Sequence, residues 1–459
     1  MKPIEKESIR LVDWSGHIDF GRTEVFAPKT EDEVVALVQS CRAARKKLRV
    51  VGRRTSWNAL WYCKDVMMAS DRLDAVKEID VAGRTVTCDA GVPLSVLHPV
   101  LWEKGLTLNC APGIDWVSVG GAISTGSHGS GYASLSSSMI RCRLITAAGE
   151  VVEIGEGDDR LDAARISLGM LGILTSVTLR AVPAFHVRVR RSHIPTASWK
   201  RFLEEGEMSY VLCFPYTDSS VLIRVDILPD PAEVPSGKSV LPRGGGLQPP
   251  ANLEGTRPEE NVEFSPKAVR RAVCALANIE PSTFPARNRY LMEAFFGDSE
   301  DSGAAHEMLM SYQSEAISGA EWAVPVRQFD AVLSEFQEGI AKGELYLPAL
   351  WFKKVHAETA WLSAADEDCV QCGIYHNVIE GTPSHVEETV TRVERIMVRH
   401  GGRPHLGKLI FMSPSELKQL YPRWNQFDTL RRQMDPDGTF WTELIEARFG
   451  EGIAETGPR

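Results

Sequence analysis

The feature that most constrains this chain is a glycine-rich segment near residue 120. Between Ala111 and Tyr132, six glycines are interspersed with serines, threonines and His128. Glycine lets the backbone approach a ligand closely and adopt positive φ, and successive backbone N–H groups can wrap a pyrophosphate. The spacing is neither that of a Walker A loop nor that of a Rossmann GxGxxG turn. We interpret the segment as an anion-binding loop, with a flexible surface loop as the alternative.

Length, charge and cysteine content exclude several classes of protein for this chain. A length of 459 residues predicts two or three domains, and a net charge of −10 disfavours non-specific nucleic-acid binding. The nine cysteines are scattered rather than regularly paired, which favours a reducing compartment. Residues 1–21 lack the apolar core of a signal peptide, and no apolar run reaches membrane-spanning length. We therefore expect a cytoplasmic protein without nucleic-acid or membrane partners and of unknown oligomeric state.

Apolar periodicity predicts an α+β unit in the N-terminal part. Thr30 to Arg45 has helical spacing, and Thr30 with Glu33 forms a predicted capping box. The other expected elements are strands at 49–51, 66–69, 85–88 and 173–182, helices at 93–104 and 161–168, and a hairpin at 141–154.

The texture of the sequence changes after Ala184. Strand-like runs (210–215 and 221–227) then mix with helical ones (331–340 and 386–398), which predicts a second α+β domain. Residues 228–261 are rich in Pro and Gly and predict an exposed loop. The expected domains are therefore 1–184, 185–400 and a C-terminal segment, 401–459.

Several motifs together carry a family resemblance. Ser118 to Gly131 (SVGGAISTGSHGSG) resembles the second FAD-binding loop of the vanillyl-alcohol oxidase superfamily, also called p-cresol methylhydroxylase-type (PCMH-type). The greatest similarity is to sugar-1,4-lactone oxidases and alditol oxidases. Further segments match that group in the same order: Val50 to Asn58, Gly169 to Leu174, Arg403 to Lys408, Tyr421 to Trp424 and Asp435 to Phe440.

The resemblance implies an α+β, two-domain flavoprotein. Its N-terminal PCMH-type FAD-binding domain consists of two α+β subdomains, an α+β cap domain covers the flavin ring, and the C-terminal segment returns to the flavin. The cofactor-binding residues it implies are Gly52, Arg53, Arg54, Thr55, Ser56, Trp57, Ser118, Gly121, Ser124, Thr125, Gly126, Ser127, His128, Gly129, Gly172, Ile173, Val177 and Lys408.

Four residues are candidates for catalysis. Lys408 would lie at the pyrimidine edge of the flavin, where a cation stabilises negative charge on the reduced ring; a solvated surface lysine is the alternative. Ser118 would lie near flavin and substrate, and Lys353 would face the substrate. His405 precedes Lys408 in the same motif, and a core histidine bonded to the backbone is an equally open interpretation.

Departures from the family pattern concern flavin attachment and substrate. Thr55 stands where many relatives attach FAD through a histidine, which predicts non-covalent FAD, with His128 or Cys63 as alternative attachment points. Aligned on Trp361-Leu362-Ser363, alditol oxidases have Glu and Arg where this chain has Trp351 and Lys353, although Trp351 could be core packing. Leu406 replaces the tryptophan of the C-terminal motif. The substrate candidates are Ser118, Glu321, Trp351, Lys353 and His376.

The function these residues predict is FAD-dependent oxidation of a CH–OH group of a sugar lactone, polyol or related metabolite. Hydride transfer to flavin N5, with O₂ as acceptor giving H₂O₂, is the expected chemistry. The alternatives are a dehydrogenase with another electron acceptor, a catalytically reduced flavin-binding protein and a non-flavin carbohydrate-binding protein. A single CxxC, Cys369 to Cys372, lacks further ligands at a recognised spacing, so we expect no metal.

Overall fold

The computed structural model describes residues 4–13, 16, 18–110, 112–229, 274, 276–277, 279–295, 297–309, 317–377 and 385–451. The predicted loop at 228–261 lies outside the described residues after position 229 and stays a prediction. No helix in the described ranges combines the length and apolar character needed to cross a membrane.

A four-stranded sheet forms the first layer, in the order β1-β2-β4-β3. Its strands are β1 (Lys6–Val12), β2 (Asp19–Phe26), β3 (Leu48–Val51) and β4 (Val66–Ala69). The predicted helix is present as Glu31–Ala43, and the Thr30 hydroxyl accepts a hydrogen bond from Glu33 N at 3.3 Å. The reciprocal half of the predicted capping box is different, because the Glu33 carboxylate accepts from Lys29 N instead. The apolar face of this helix packs on the sheet through Val34, Leu37 and Val38.

An antiparallel five-stranded sheet follows, in the order β5-β6-β10-β8-β9. Its strands are β5 (Val76–Asp80), β6 (Thr85–Asp89), β8 (Met139–Ile145), β9 (Val151–Gly155) and β10 (Ile173–Arg180). A separate short pair joins β7 (Leu106–Thr107) to β11 (Val182–Pro183). The α-helices of this part are Leu94–Trp102, Val119–Thr125 and Arg160–Arg165, with a 3₁₀ turn at Leu135–Ser138. The predicted 141–154 hairpin is confirmed, and Gly149 supplies the positive φ of its turn.

An eight-stranded antiparallel sheet dominates the second half of the described chain, in the order β15-β12-β14-β13-β17-β18-β16-β19. Its strands are β12 (His186–Pro195), β13 (Tyr210–Cys213), β14 (Ser219–Leu228), β15 (Ser299–Ala304), β16 (Ile317–Pro325), β17 (Leu350–Val355), β18 (Cys369–Asn377) and β19 (Arg403–Pro404). Its α-helices are Phe284–Phe295, Ala305–Leu309, Phe329–Ala341 and Val386–Arg399. Shorter 3₁₀ helices are Thr196–Leu203, Pro281–Thr283 and Val326–Gln328. The mixed α+β texture predicted after Ala184 is thus observed.

The chain after Gly401 connects the two halves. β19 extends the eight-stranded sheet, whereas the helices Pro414–Gln419, Trp424–Met434 and Glu443–Phe449 pack into the core of the five-stranded sheet. A second core lies between the eight-stranded sheet and the helices Phe329–Ala341 and Val386–Arg399. The segment 405–412 therefore passes between two hydrophobic cores, and the site lies there.

Candidate active site

A cleft opens where the N-terminal unit faces the eight-stranded sheet, with a volume of about 1160 Å³ including the part open to solvent. Its lining comes from loops of the N-terminal half, from strands of the eight-stranded sheet and from the C-terminal motif. The lining residues are Thr55, Ser56, Trp57, Asn109, Pro112, Gly113, Ile114, Val117, Thr125, Ser127, His128, Gly129, Ser130, Tyr132, Met208, Tyr210, Leu309, Glu321, Trp351, Lys353, Tyr375, His405, Gly407 and Lys408.

The first loop, residues 52–58, leaves β3 and docks on the C-terminal motif. Trp57 N donates to the Gly407 carbonyl at 2.9 Å, and Asn58 Nδ2 donates to the carbonyls of Leu406 (2.7 Å) and Lys408 (2.8 Å). These bonds satisfy backbone carbonyls that would otherwise be unpaired in a buried turn. They also fix the backbone that carries Lys408, so two motifs separated by about 350 residues form one structural unit.

The second loop begins with the short helix Val119–Thr125. Gly126, at φ +70°, ends this helix. A Cβ at Gly126 would lie 2.9 Å from Ile166 Cδ1 and would also strain the left-handed backbone. Gly120 lies close to the end of β6, since its N–H donates to the Ala90 carbonyl at 2.7 Å. The turn presents the side chains of Thr125, Ser127 and His128 to the cleft. Glycine thus permits a tight turn that places hydroxyl donors on the cleft wall.

Other predicted site residues lie outside the cleft lining. Ser118 is 3% exposed, and its hydroxyl fills the space next to Gly52 and Gly121. Ile173 and Val177 lie on β10 with their side chains in hydrophobic cores. The structure likewise leaves Arg53, Arg54, Ser124 and Gly172 away from the lining. Their predicted contacts with FAD stay predictions.

His376, a predicted substrate residue, does not belong to the lining of the cleft formed by the described residues. It follows Tyr375 on β18, and successive side chains of a strand point to opposite faces. Tyr375 lines the cleft, whereas His376 lines a separate small pocket together with Pro281, Phe284 and Pro348. Strand alternation therefore separates His376 from the other substrate candidates.

A buried carboxylate organises the floor of the cleft. Glu321, on β16, accepts hydrogen bonds from Gln371 Nε2 at 2.9 Å and from the hydroxyl of Tyr375. Lys408 Nζ lies 3.7 Å from Glu321 Oε1 and 3.3 Å from the centroid of the Trp57 ring. The ammonium thus has a carboxylate on one side and an aromatic face on another, an arrangement that holds a cation in a buried place. The interpretation of Lys408 as a solvated surface lysine is wrong, since its side chain is only 16% exposed.

Two histidines complete this network. His128 Nδ1 lies 2.9 Å from the Gly129 carbonyl and its Nε2 lies 3.3 Å from Glu321 Oε2. Both ring nitrogens of His128 therefore lie next to oxygen atoms that can accept a hydrogen bond. His405 Nδ1 accepts from Gly407 N at 3.0 Å, so it is bonded to the backbone as well as facing the cleft. His128, Glu321 and His405 each have an atom able to bind a metal ion, and these atoms lie within 4.8 Å of one another. The Glu321 carboxylate, however, is already engaged by Lys408 and by its hydrogen bonds.

The electrostatics follow from burial and from these contacts. Burial opposes ionisation of Glu321, but the Lys408 ammonium and the His128 hydrogen bond outweigh it and hold the pKa of the carboxyl well below its usual value. Burial and the Glu321 carboxylate raise the pKa of Tyr375 well above its usual value, so its hydroxyl keeps its proton and donates. Burial lowers the pKa of His405 to about 3, which keeps that ring neutral. Burial also lowers the pKa of Lys408, but a carboxylate 3.7 Å away favours the charged pair.

The eight-stranded sheet contributes aromatic side chains to the cleft. Trp351 and Tyr210 stack with centroids 6.0 Å apart and planes at 11°, and Tyr375 meets Trp351 edge-on at 5.5 Å. Lys353 Nζ lies 5.3 Å from the Trp351 centroid and 5.6 Å from that of Tyr210. Trp351 therefore faces the cleft, while Phe352, which points to the other side of β17, belongs to the core.

Gln371, Tyr375, Tyr210 and Asn58 were missed as site residues. A signal for two of them exists in the sequence, because Gln371 and Tyr375 fall on one face of a strand at period two. The register Glu321↔Gly373 places them on either side of Glu321. The pairing register of β16 with β18 depends on the tertiary structure, and the sequence pattern alone does not predict it.

The residues present fit a flavin. The lining combines hydroxyl side chains of the two loops, aromatic side chains of the eight-stranded sheet and the ammonium group of Lys408. The indole N–H of Trp57, which lines the cleft, has no hydrogen-bond partner among the described residues. A group that combines apolar rings with polar edges matches this donor set.

Comparisons with known proteins agree with this fit. The model of the D-arabinono-1,4-lactone oxidase family matches residues 177–447, and that of an FAD binding domain matches residues 23–155. Fold and cleft therefore define an FAD-dependent oxidoreductase of the vanillyl-alcohol oxidase superfamily, with the predicted α+β architecture. More narrowly, the chain belongs to the D-arabinono-1,4-lactone oxidase family.

Individual relatives span nearly the whole chain. An L-gulono-1,4-lactone dehydrogenase of Mycobacterium tuberculosis is 27% identical over 452 residues, which covers 95% of this chain and 98% of the relative. An L-gulonolactone oxidase of Scyliorhinus torazame is 24% identical and covers 92% and 94%. Among solved structures, cholesterol oxidase of Brevibacterium sterolicum is similar with a TM-score of 0.76 and 18% identity, covering 97% of both chains. At that identity the likeness concerns the fold alone.

Proposed function

We propose that the protein oxidises a CH–OH group of a sugar lactone or a related hydroxylated metabolite, using the cleft as its active site. The observation that carries the proposal is the buried Lys408–Glu321 pair, held between the first loop and the eight-stranded sheet. The names of the relatives, which are lactone oxidases and a lactone dehydrogenase, support the substrate class. A bound flavin would supply the hydride acceptor for this oxidation, in which the carbinol carbon gives up a hydride, its hydroxyl gives up a proton and CH–OH becomes C=O.

Lys408 has the central part in this proposal. Its ammonium is fixed by Glu321 and by the Trp57 face, and the Asn58 side-chain amide holds its backbone by donating to the Lys408 carbonyl. A fixed cation stabilises negative charge that develops in a reaction without reorganisation at that moment. Glu321 and Tyr375 then serve to position Lys408 and to exclude water from it.

His405 and Ser118 have different roles in this proposal. Neutral His405 accepts from Gly407 N at Nδ1, so its remaining nitrogen offers a donor to the cleft. Ser118 supports the packing of both glycine loops, because its hydroxyl occupies the space between Gly52 and Gly121. We therefore assign Ser118 a positioning role rather than a catalytic one.

Anaerobic mixing with candidate substrates tests the proposed function. We expect the yellow protein to bleach with at least one sugar lactone or related hydroxylated compound. Lys408→Met should slow this bleaching by roughly 100-fold or more, since removal of one electrostatic stabiliser typically has that effect, while flavin content stays near that of the wild type. Bleaching by none of the lactones, polyols and hydroxy acids would contradict the proposal and favour a catalytically reduced flavoprotein.

Turnover also needs an electron acceptor that reoxidises the reduced flavin. We infer that O₂ takes the electrons and yields hydrogen peroxide, and a relative named as a dehydrogenase makes an artificial or protein acceptor the specific alternative. Air should restore the yellow colour of bleached protein within one turnover time and produce stoichiometric peroxide. Slow reoxidation in air with fast reoxidation by an added dye would identify a dehydrogenase.

We also propose that FAD is held non-covalently and that the protein works in the cytoplasm. Thr55 lacks a nucleophilic nitrogen, and both ring nitrogens of His128 are engaged. Cys63 is 3% exposed and lies outside the cleft lining. All nine cysteines are free and buried thiols, which supports a reducing compartment.

A further inference from the structure

The charges that line the cleft do not balance. One carboxylate, Glu321, belongs to the lining, together with the two ammonium groups of Lys353 and Lys408. Glu321 is already paired with Lys408 and also accepts from Gln371, Tyr375 and His128. The cleft therefore carries an excess of positive charge. Lys353 is the ammonium group that Glu321 does not pair with.

Lys353 is held in place by its strand rather than by an anion. β17 lies between β13 and β18, where Lys353 is paired with Tyr210 and with Gln371. Within the described part of the chain, no carboxylate oxygen lies within 4.0 Å of its Nζ. Its Nζ lies over the ring faces of Trp351 and Tyr210, 5.3 and 5.6 Å from their centroids.

Aromatic faces compensate only part of the cost of such a cation. A cation–π contact contributes far less than hydration of an ammonium group provides, so a partly buried lysine without an anion is unfavourable. Burial lowers the pKa of Lys353 accordingly, and Glu321 offsets this in part. A ligand that brings a negative charge to this position removes the penalty.

We infer that Lys353 binds the carboxylate of the substrate, so that the cleft prefers an open-chain hydroxy acid to the neutral lactone or alditol with the same carbon skeleton. The inference rests on the proposed function and specifies its substrate class. The reaction itself is unchanged: the carbinol carbon loses a hydride, its hydroxyl loses a proton, and the carboxylate is not altered.

The surroundings favour a carboxylate over a phosphate. A single ammonium group neutralises a monoanion, whereas phosphate sites combine several cations, arginine forks or a cluster of N–H donors. No arginine belongs to the lining of the cleft formed by the described residues. The stacked rings of Trp351 and Tyr210 beside Lys353 offer a flat apolar surface for the C–H face of a sugar acid.

A matched substrate pair tests the inference. L-gulono-1,4-lactone and the gulonate obtained by opening it share every carbon, but the first is a neutral ring and the second an open-chain anion. We expect the wild-type protein to have the higher kcat/KM with gulonate, measured by anaerobic flavin bleaching. Lys353→Met should lower the gulonate-to-lactone ratio by about tenfold to hundredfold, which is the range for losing one charge-assisted hydrogen bond.

Lys354 provides the matched control. It follows Lys353 on the same strand, but its Nζ donates to the Glu205 carbonyl at 3.0 Å on the opposite face. Lys354→Met should leave the gulonate-to-lactone ratio within about twofold of the wild type. Lys353→Arg should restore part of the ratio, because it returns a cation to the same place.

Two results would overturn the inference while the proposed function stands. One is faster bleaching by the lactone than by gulonate in the wild type. The other is an equal loss with both compounds in Lys353→Met, which would indicate a proton-transfer or structural role. Bleaching by neither compound, nor by other lactones, polyols and hydroxy acids, would refute the proposed function, and the inference with it.

A wild-type experiment decides the question if Lys353→Met does not fold or loses its flavin. Pentanoate should compete with the oxidisable substrate, whereas pentanamide, which has the same shape without the charge, should compete at least tenfold more weakly. Equal inhibition by the two compounds, or none by pentanoate, would refute a carboxylate site at Lys353.

Discussion

The strength of the Glu321–Lys408 pair can be measured by removing each charge separately and then both. With 3.7 Å between Lys408 Nζ and Glu321 Oε1 and an effective dielectric constant near 20, the Coulomb energy is roughly 4.5 kcal/mol. Glu321 keeps its hydrogen bonds from Gln371 and Tyr375 when Lys408 is lost, so part of this energy is retained. We therefore expect a coupling free energy of about 2–3 kcal/mol.

The experiment is a double-mutant cycle of Lys408→Met and Glu321→Gln. Each single variant should be destabilised by about 3–5 kcal/mol because it leaves a buried charge without its partner, and the double variant should be more stable than the sum predicts. Urea unfolding of flavin-free protein, followed by tryptophan fluorescence, gives the free energies of unfolding without a contribution from altered cofactor affinity.

An exposed pair provides the control cycle. Lys342 and Glu338 lie 3.5 Å apart on one helix with side chains 60% and 69% exposed. Their coupling should be about 0.3–0.5 kcal/mol, as for other exposed pairs one helical turn apart. A coupling for Lys408 and Glu321 no larger than that of the control would refute the argument that burial makes this pair strong.

Three further predictions concern the cofactor and pH. Gly126→Leu should give flavin-free protein with little absorbance near the flavin bands, because a side chain there meets Ile166 at 2.9 Å and cannot easily adopt φ +70°; normal flavin content would show that this turn does not shape the binding loop. Acid or hot-detergent denaturation followed by filtration should release the yellow cofactor into the filtrate, and a fluorescent protein band on a denaturing gel would disprove non-covalent binding. Burial raises the pKa of Glu394 from 4.5 to about 7 although Phe411 N donates to it, so the folded state favours the protonated form. The stability contributed by that form is complete below pH 4.5 and is lost as pH rises through about 7, a loss of roughly 3 kcal/mol. Glu394→Gln should remove this dependence in urea unfolding curves recorded across that range, and unchanged curves would argue against a protonated Glu394.

The sequence by itself determined the cofactor, the fold class and the local elements. Gly126 is a glycine because the backbone there has a positive φ, which is a local property of the turn. The binding loop could therefore be identified from the glycines in the sequence. The helix at 31–43 and the hairpin of β8 and β9 likewise follow from periodicity and a turn glycine. The role expected for Lys408 came from the spacing of a short motif, and the structure places that residue in the cleft.

Only the tertiary structure decided which charges meet and which one is left over. Glu321, Gln371 and Tyr375 come together because β16 pairs with β18 in one particular register, and a shift by one residue would exchange their faces. Asn58 reaches the Lys408 backbone across about 350 residues of sequence. The same strand alternation turns His376 away from the cleft and leaves Lys353 facing it. Contacts between distant segments depend on how strands pair and how hydrophobic cores pack, and local sequence patterns do not contain that information.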